Sequence, residues 1–380
     1  MVSRLFYPWV GGSERQAHKL AQELCKKGVQ VEIVTGWWYR GTPRHEIIDG
    51  IPVYRNHTLW EMFGIKGLRK FGGYLYILSL IWFLWRRRGH YDIIHIHGLS
   101  YHTFAAVLAG RWIKRKTLTK LVNSGMASDI KKMQKGQHLA FSHYLLPIAL
   151  GSDRYIALTK TIASELVNAG VPQERIVRLA NGVETDRIIA KSDYSLHFPA
   201  RLIFAGRLHY QKGLDVLLKA LKKVNEHDPA LPICLQVLGD GPLREDMWRL
   251  AEQLGIAHEV EFVGQTEQVI EHFRQADIFI LPSRAEGISN ALLEAMACGL
   301  PVAVSDIPGN LDVVEHEQNG LIFHVEEPDS LAQVLVPLLE GQKLRESLGK
   351  AARKTVEKEF SLSVVADRYI SVYQELLAVS

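Results

Sequence analysis

The sequence predicts an α/β protein built from two consecutive units, each a parallel sheet covered on both faces by helices. Three observations carry this. Short β-rich runs alternate with amphipathic helical runs along the 380 residues. The alternation pauses at about residues 186–200 and then restarts. The charge inverts between the halves: residues 1–190 hold 27 Lys and Arg against 13 Asp and Glu, and residues 191–380 hold 18 against 28.

The length suits two domains of ordinary size, each able to bury its own core. With 47% apolar and 23% charged residues, the composition is that of a globular protein. Cys25, Cys234 and Cys298 lie far apart with no metal-ligand spacing, and read as free thiols of a reducing compartment. The opening residues do not read as a secretory signal. The strongly basic first half points to an anionic partner. Its cations form no nucleic-acid motif, so nucleic acid is not expected.

Each element can be justified in turn. "MVSRLFYPWVGG" reads as the end of a first strand and a glycine-rich loop. Few residues precede the Phe-Tyr-Pro turn, whereas a central strand has roughly five or six. Either this strand is short or the native start lies further upstream. "GSERQAHKLAQELCKKG" places Ala17, Leu20, Ala21 and Leu24 on one helical face, with Ser13 and Gln16 as a capping box and Gly28 as the stop. "VQVEIVT", "YDIIHIHG", "LTKLVN", "DRYIAL" and "RIVRLANG" follow as strands, with a helix in "TKTIASELVNAG". After the linker, "RLIFAGR", "PICLQVLGDG", "VEFVGQ", "DIFILPS" and "LPVAVSD" are strands separated by helices. The stretch 328–380 is almost entirely helix-prone.

"YLYILSLIWFLW", residues 74–85, runs directly into Arg86, Arg87 and Arg88, with Lys66, Arg69 and Lys70 upstream. It is too short to span a bilayer. Two readings stand: a buried helix with a basic end, or a basic aromatic helix lying on an anionic membrane.

The stretch "SRAEGISNALLEAMACG", residues 283–299, carries the chemistry. Ser289 or Asn290 caps a helix that Gly299 and Pro301 stop. The amides of Gly287, Ile288 and Ser289 then form a site suited to phosphate. It lies at the carboxyl end of a strand, where open α/β sheets bind ligands. Glu294, one turn into the helix, can accept from a ribose diol, and Glu286 in the loop can reach another part of the same ligand. "GRLHYQKG" places Arg207 and Lys212 in a loop after a strand, two cations able to stabilise a departing diphosphate. The sequence has no Asp-x-Asp pair to hold a magnesium ion on a diphosphate, so no metal and no cofactor are expected. "GGSE" (Gly11, Gly12) and "LGDGPLRE" (Gly239, Gly241) allow close backbone approach. In "DIIHIHG", His95 and His97 share one strand face, with His97 at the carboxyl end.

"EGISNALLEAMACGLPV" closely resembles the signature of the family-4 retaining glycosyltransferases, and the resemblance covers essentially the whole chain. It implies the GT-B architecture, two facing Rossmann-like domains with a cleft that closes over the donor. It assigns Glu294 to the nucleotide ribose, Glu286 to the donor sugar hydroxyls, and Arg207 and Lys212 to the leaving diphosphate. It places His97 beside the donor sugar, Gly11 and Gly12 in the amino-terminal glycine loop, and Gly264 and Gln265 against the base. Two departures stand out. Ser124-Gly125 replaces the His-Gly of many relatives, and Glu184 replaces the Asp of the Asn-Gly-Val-Asp turn.

The expected protein is therefore a retaining glycosyltransferase that moves a hexose from a nucleotide sugar to a glycan or lipid-linked acceptor, in cell-surface polysaccharide or glycolipid synthesis. By similarity to UDP-sugar users the base is expected to be uridine, with GDP as the alternative. Residues 1–190 would form the acceptor domain and 195–362 the donor domain, with the final helix, 363–380, packing back on the first. The expected location is the cytoplasm, with peripheral contact to the inner face of an anionic membrane under the second reading of residues 74–85. A nucleotide-sugar epimerase of the same architecture and a non-catalytic nucleotide-sugar-binding subunit are the rivals. The diphosphate-shaped site argues against a retaining glycosidase, which needs two carboxylates about 5 Å apart.

Overall fold

The computed structural model describes residues 1–8, 11–39, 41–58, 69–123, 128–136, 139 and 142–378. Lys66 and the Ser124-Gly125 departure lie outside the described residues, as do the side chains of Arg69 and Lys70. The chain divides into two compact units, one of Met1–Gly182 with Leu362–Ser380 and the other of Val183–Ser361.

The first unit holds β1 (Val2–Ser3), β2 (Ile33–Gly36), β3 (His45–Ile48), β4 (Ile51–Asn56), β5 (Ile93–His97), β6 (Lys116–Leu121), β7 (Arg154–Ala157) and β8 (Ile176–Arg178). They form one sheet in the order β3-β4-β2-β1-β5-β6-β7-β8. All pairs are parallel except β3 with β4. The hairpin β3–β4 was not anticipated. It turns on Asp49 and Gly50 at φ 47° and 83°, the positive values that a tight two-residue hairpin requires. The strand β1 is short, yet Val2 pairs with both Val34 and Ile96. The strand order therefore reverses between β1 and β5.

The first helix, Gly12–Lys26, is capped by Gly11 rather than Ser13. The Gly11 amide donates to the Glu14 carboxylate at 3.0 Å, which satisfies an orphan helix-end donor. Gln16 is buried instead of capping. Gly28 ends the helix at φ 85°, as expected. On this face of the sheet, Leu20, Ala21 and Leu24 pack with Val365, Tyr369 and Val372 of the helix Leu362–Ala378. On the other face, Tyr76, Ile77, Leu80 and Leu84 of the helix Arg69–Arg86 pack with Ala105, Val107 and Ala109 of the helix Tyr101–Ile113.

The second unit holds β9 (Ala200–Ala205), β10 (Ile233–Leu238), β11 (Val260–Gly264), β12 (Ile278–Leu281), β13 (Val302–Ser305) and β14 (Leu321–Phe323). Their order is β11-β10-β9-β12-β13-β14, all parallel. This is the 3-2-1-4-5-6 order of the doubly wound nucleotide-binding fold. Its reversal falls between β9 and β12. The strands read as unbroken apolar runs because both faces are covered: Ile278, Phe279, Ile280 and Leu281 are all fully buried.

The stretch 186–200, read from sequence as a linker, is held by this second unit. Arg353 donates to the carbonyls of Thr185 and Ile188, each at 3.1 Å. Lys191 donates to the Ala276 carbonyl at 2.7 Å, and Tyr194 to the Gly299 carbonyl at 3.1 Å. The buried Asp277 carboxylate accepts from the amides of His197 and Arg201 at 3.1 and 2.9 Å. Satisfied polar groups of this kind make a packed segment, not a free tether.

Candidate functional site

The two loops that the sequence singles out in the second unit leave the adjacent strands β9 and β12, at the reversal of strand order. That crevice is where doubly wound sheets bind ligands. The loop after β9 carries Arg207 and Lys212, and the loop after β12 carries Glu286. Lys212 and Glu286 are both half-buried, and their ammonium and carboxylate form an ion pair. Ser283 donates its hydroxyl to the same Glu286 oxygen at 3.0 Å. Arg207 is exposed, and among the described residues no carboxylate pairs with it.

A hydrogen-bonded chain that sequence reasoning missed stands behind Glu286. Asn310 donates to the Ser305 carbonyl at 3.0 Å, and Ser305 donates to the Ser283 carbonyl at 2.6 Å. All three side chains are fully buried. Serine and asparagine are too common in loops for their spacing to have signalled this.

Arg284 is the other residue that was missed. Its guanidinium donates to both oxygens of Asp215 at 2.8 Å, to Glu326 at 2.7 Å and to the Tyr210 carbonyl at 2.8 Å. It also lies over the Tyr210 ring at 4.1 Å, and its amide donates to the Gln211 carbonyl at 2.8 Å. Asp215 is partly buried, which alone would raise its pKa; the Arg284 hydrogen bonds and charge outweigh this and lower it. Arg284 thus clamps the cation-bearing loop to the carboxylate-bearing one.

Gly239 and Gly241 are positions of close backbone approach, as their place in the sequence suggests. A Cβ on Gly239, at φ 119°, would sit 2.1 Å from the Gly206 carbonyl oxygen, and one on Gly241 would sit 2.3 Å from that of Leu208. The space is filled by the chain's own backbone, which pins the Arg207 loop. Gly264, at φ 83°, gives its carbonyl to the Gly239 amide at 2.7 Å, while Gln265 is exposed.

Ser289 is the N-cap of the helix Asn290–Ala297, and its side chain makes no capping bond. Ile288 and Ser289 are buried, and Gly287 and Asn290 are half-buried. Gly309 packs so tightly on this loop that a Cβ there would lie 1.8 Å from the Gly287 carbonyl oxygen. Glu294, one turn along the helix, is half-buried.

In the first unit, His97 ends β5 and pairs in register with Ser3 of β1 and Lys120 of β6. It therefore sits at that sheet's own reversal point, beside β1, the strand that precedes Gly11 and Gly12 in sequence. His95 and His97 stack at 4.3 Å, as the strand alternation requires. His95 is fixed by Tyr373 at 2.8 Å. His97 is buried, and its Nε2 has no hydrogen-bond partner among the described residues. Burial, then the neighbouring His95 and Lys120, hold its pKa well below the usual imidazole range. Lys120 is itself buried and donates to Asn181 at 2.9 Å.

Comparison with known proteins decides the family. Residues 10–187 match Glycosyltransferase Family 4, and residues 195–355 match Glycosyl transferases group 1. The chain belongs to the family-4 glycosyltransferases. This glycosyltransferase is 25% identical to the N-acetyl-alpha-D-glucosaminyl L-malate synthase of Bacillus anthracis, over 98% of this chain and 96% of the relative. The sucrose-phosphate synthase of Thermosynechococcus elongatus superposes on it with a TM-score of 0.79 at 19% identity, covering 100% of both chains. Anabaena HepE in complex with UDP superposes with a TM-score of 0.74 at 18% identity, covering 98% of each. These likenesses give the glycosyltransferase its GT-B fold of two parallel-sheet Rossmann-like domains. HepE has also been crystallised with UDP-glucose.

Proposed function

We propose that this glycosyltransferase transfers a hexose from a UDP-linked donor, with retention, to an anionic glycan or lipid-linked acceptor, in cell-surface polysaccharide or glycolipid synthesis. The observation that carries the reading is the convergence of Lys212 and Glu286 at the strand-order reversal of the second unit. One unit-charge pair there offers both groups that a sugar diphosphate needs. The cation meets phosphate, and the carboxylate accepts from sugar hydroxyls. HepE, a structural neighbour, binds UDP and UDP-glucose, which supports uridine as the base. The basic first half supports an anionic acceptor presented at a membrane surface.

In this reading Glu294 accepts from the ribose, and the backbone of Gly287, Ile288, Ser289 and Asn290 meets the diphosphate. Arg207 and Lys212 take up the negative charge that develops as the bond from the anomeric carbon to the phosphate oxygen breaks. The acceptor hydroxyl attacks the same face of the anomeric carbon. Its proton passes to the departing phosphate oxygen, and no covalent nucleophile and no metal are used. His97, neutral at pH 7, would meet the sugar as a hydrogen-bonding partner rather than as a cation.

Ligand-induced thermal stabilisation tests the donor. UDP, GDP, ADP and their hexose conjugates are each added with and without EDTA. The reading requires a shift selective for uridine nucleotides and indifferent to EDTA. A shift only with GDP, or one abolished by EDTA, contradicts it. Conversion of the free nucleotide sugar without acceptor would identify an epimerase instead.

A further inference from the structure

The helix Arg69–Arg86 is apolar on two faces, and only one of them is used. Tyr76, Ile77, Leu80 and Leu84 face the core. Leu78, Trp82 and Trp85, spaced four and three apart, form a second stripe. They are 65%, 57% and 42% exposed, and Trp112 at the end of the adjoining helix Tyr101–Ile113 is 69% exposed. The carboxyl ends of these two helices are tied together. The Arg115 guanidinium donates twice to the Arg88 carbonyl, at 3.1 and 2.9 Å. Trp85 and Trp112 therefore belong to one end of one helix pair.

Cations accompany the aromatics. Arg86 lies over the Trp82 ring at 5.5 Å, and Arg88 over the Trp85 ring at 5.1 Å. Arg86, Arg88, Arg111 and Lys114 are all exposed. Residues 69–120 contain ten Lys and Arg but a single carboxylate, Asp92, and Asp92 lies 3.7 Å from Arg115. Among the described residues, no helix is long and apolar enough to cross a membrane. The patch therefore suits a partner that is apolar in depth and anionic at its surface.

We propose that Leu78, Trp82, Trp85 and Trp112, with Arg86, Arg88, Arg111 and Lys114, form a docking face for an anionic lipid bilayer. Indole rings at the acyl boundary and guanidinium groups at the phosphates reproduce the division of labour of interfacial helices. A protein partner would be expected to meet so many cations with carboxylates, whereas a bilayer meets them with headgroups of any register. The proposal deepens the membrane-surface part of the function above, and it can fail without the donor reading failing.

The test is co-sedimentation of the full chain, without nucleotide, with phosphatidylcholine vesicles and with vesicles that also contain phosphatidylglycerol. Binding to the anionic vesicles should weaken as salt is raised, and the tryptophan emission should shift to the blue on binding. W82S/W85S/W112S and R86S/R88S should each lower the affinity by about tenfold or more, while the UDP-induced thermal shift stays as in the parent. That shift also reports that the variants are folded. Absence of binding to anionic vesicles at low salt would overturn the proposal, as would unchanged binding by both variants. So would self-association that is abolished by W112S while vesicles are ignored, since that identifies a second copy as the occupant.

Discussion

The ammonium of Lys212 and the carboxylate of Glu286, contributed by loops from two adjacent strands, form an ion pair. Ser283 holds the same carboxylate oxygen at 3.0 Å. A sugar diphosphate would have to share both partners, so removing either leaves a half-buried charge unmatched. Glu286→Ala should lower kcat by about a hundredfold or more, with the UDP-induced thermal shift retained. Glu286→Gln keeps an oxygen for Ser283 and a smaller part of the sugar contact, and should fall between the parent and the alanine variant. Steady-state kinetics with the donor varied checks this; an alanine variant with parental kcat would remove Glu286 from the chemistry.

Glu294 separates from Glu286 in its expected effect. It stands one turn into the helix Asn290–Ala297, eight residues beyond Glu286. Glu294→Ala should weaken UDP binding by about tenfold or more, the scale of a lost charge-assisted hydrogen bond, with a smaller change in kcat. Calorimetric titration of UDP into the variant decides it, and an unchanged affinity would exclude a ribose role.

Lys120 makes stability depend on pH in an unusual direction. Burial lowers its pKa to about 7, whereas an unfolded lysine titrates at about 10.4. Between these values the unfolded chain binds the extra proton. Stability against unfolding should therefore rise as pH increases from about 7 toward 10. Lys120→Met should flatten that rise. His95 and His97 act at the acid end. Their lowered pKa values mean that stability is lost as pH falls below about 6.5. Urea titrations across this pH range give both slopes.

Much of this is legible in the amino-acid sequence. The alternation of β-rich and amphipathic runs predicts parallel sheets, and strand-end positions pick out Arg207, Lys212, Glu286 and His97 because chemistry in such sheets gathers at carboxyl ends. The order of strands was not legible, since pairing is a long-range property that local periodicity does not encode. The β3–β4 hairpin was overlooked even though "IIDGIP" carries the Asp-Gly signal between apolar runs. Three-residue β14 is too short to show a period. At the site, Ser283, Ser305, Asn310 and Arg284 escaped notice because their roles depend on partners 22, 5 and 69 residues away. Gly239 and Gly241 were legible as close-approach positions, but sequence could not say that the approaching atoms belong to the chain itself.

Arg284 offers a test of loop positioning apart from direct contact. Its bidentate bond to Asp215 and its stacking on Tyr210 need the planar guanidinium. Arg284→Lys retains the charge but loses the fork, and should raise the donor KM and lower kcat together. Asp215, whose pKa is lowered by this partner, contributes stability that is present above its unfolded value and lost as pH falls through the folded one. In Arg284→Ala the acid-side loss of stability assigned to Asp215 should disappear from the thermal melts. An alanine variant with the parental acid profile and parental kinetics would show that the clamp is decorative.

Gly309 gives the sharpest steric test. Its missing Cβ lets the backbone lie against the Gly287 carbonyl, 1.8 Å from where that Cβ would be. The obstructing atom is backbone, so no side chain can swing aside. Gly309→Ala must displace the Glu286–Ser289 loop, and with it the start of the helix that carries Glu294. The variant should melt several degrees lower, by about 1–3 kcal/mol of stability, and the UDP-induced thermal shift should shrink beyond what the lower melting point explains. Comparison with Gly255→Ala separates the two effects. Gly255 lies at the end of the helix Arg244–Gln253 with φ 73° and nothing within 4 Å of its Cβ position. That variant should lose stability through backbone strain but keep its full response to UDP. Equal UDP responses in the two variants would dissociate the Gly287 loop from nucleotide binding.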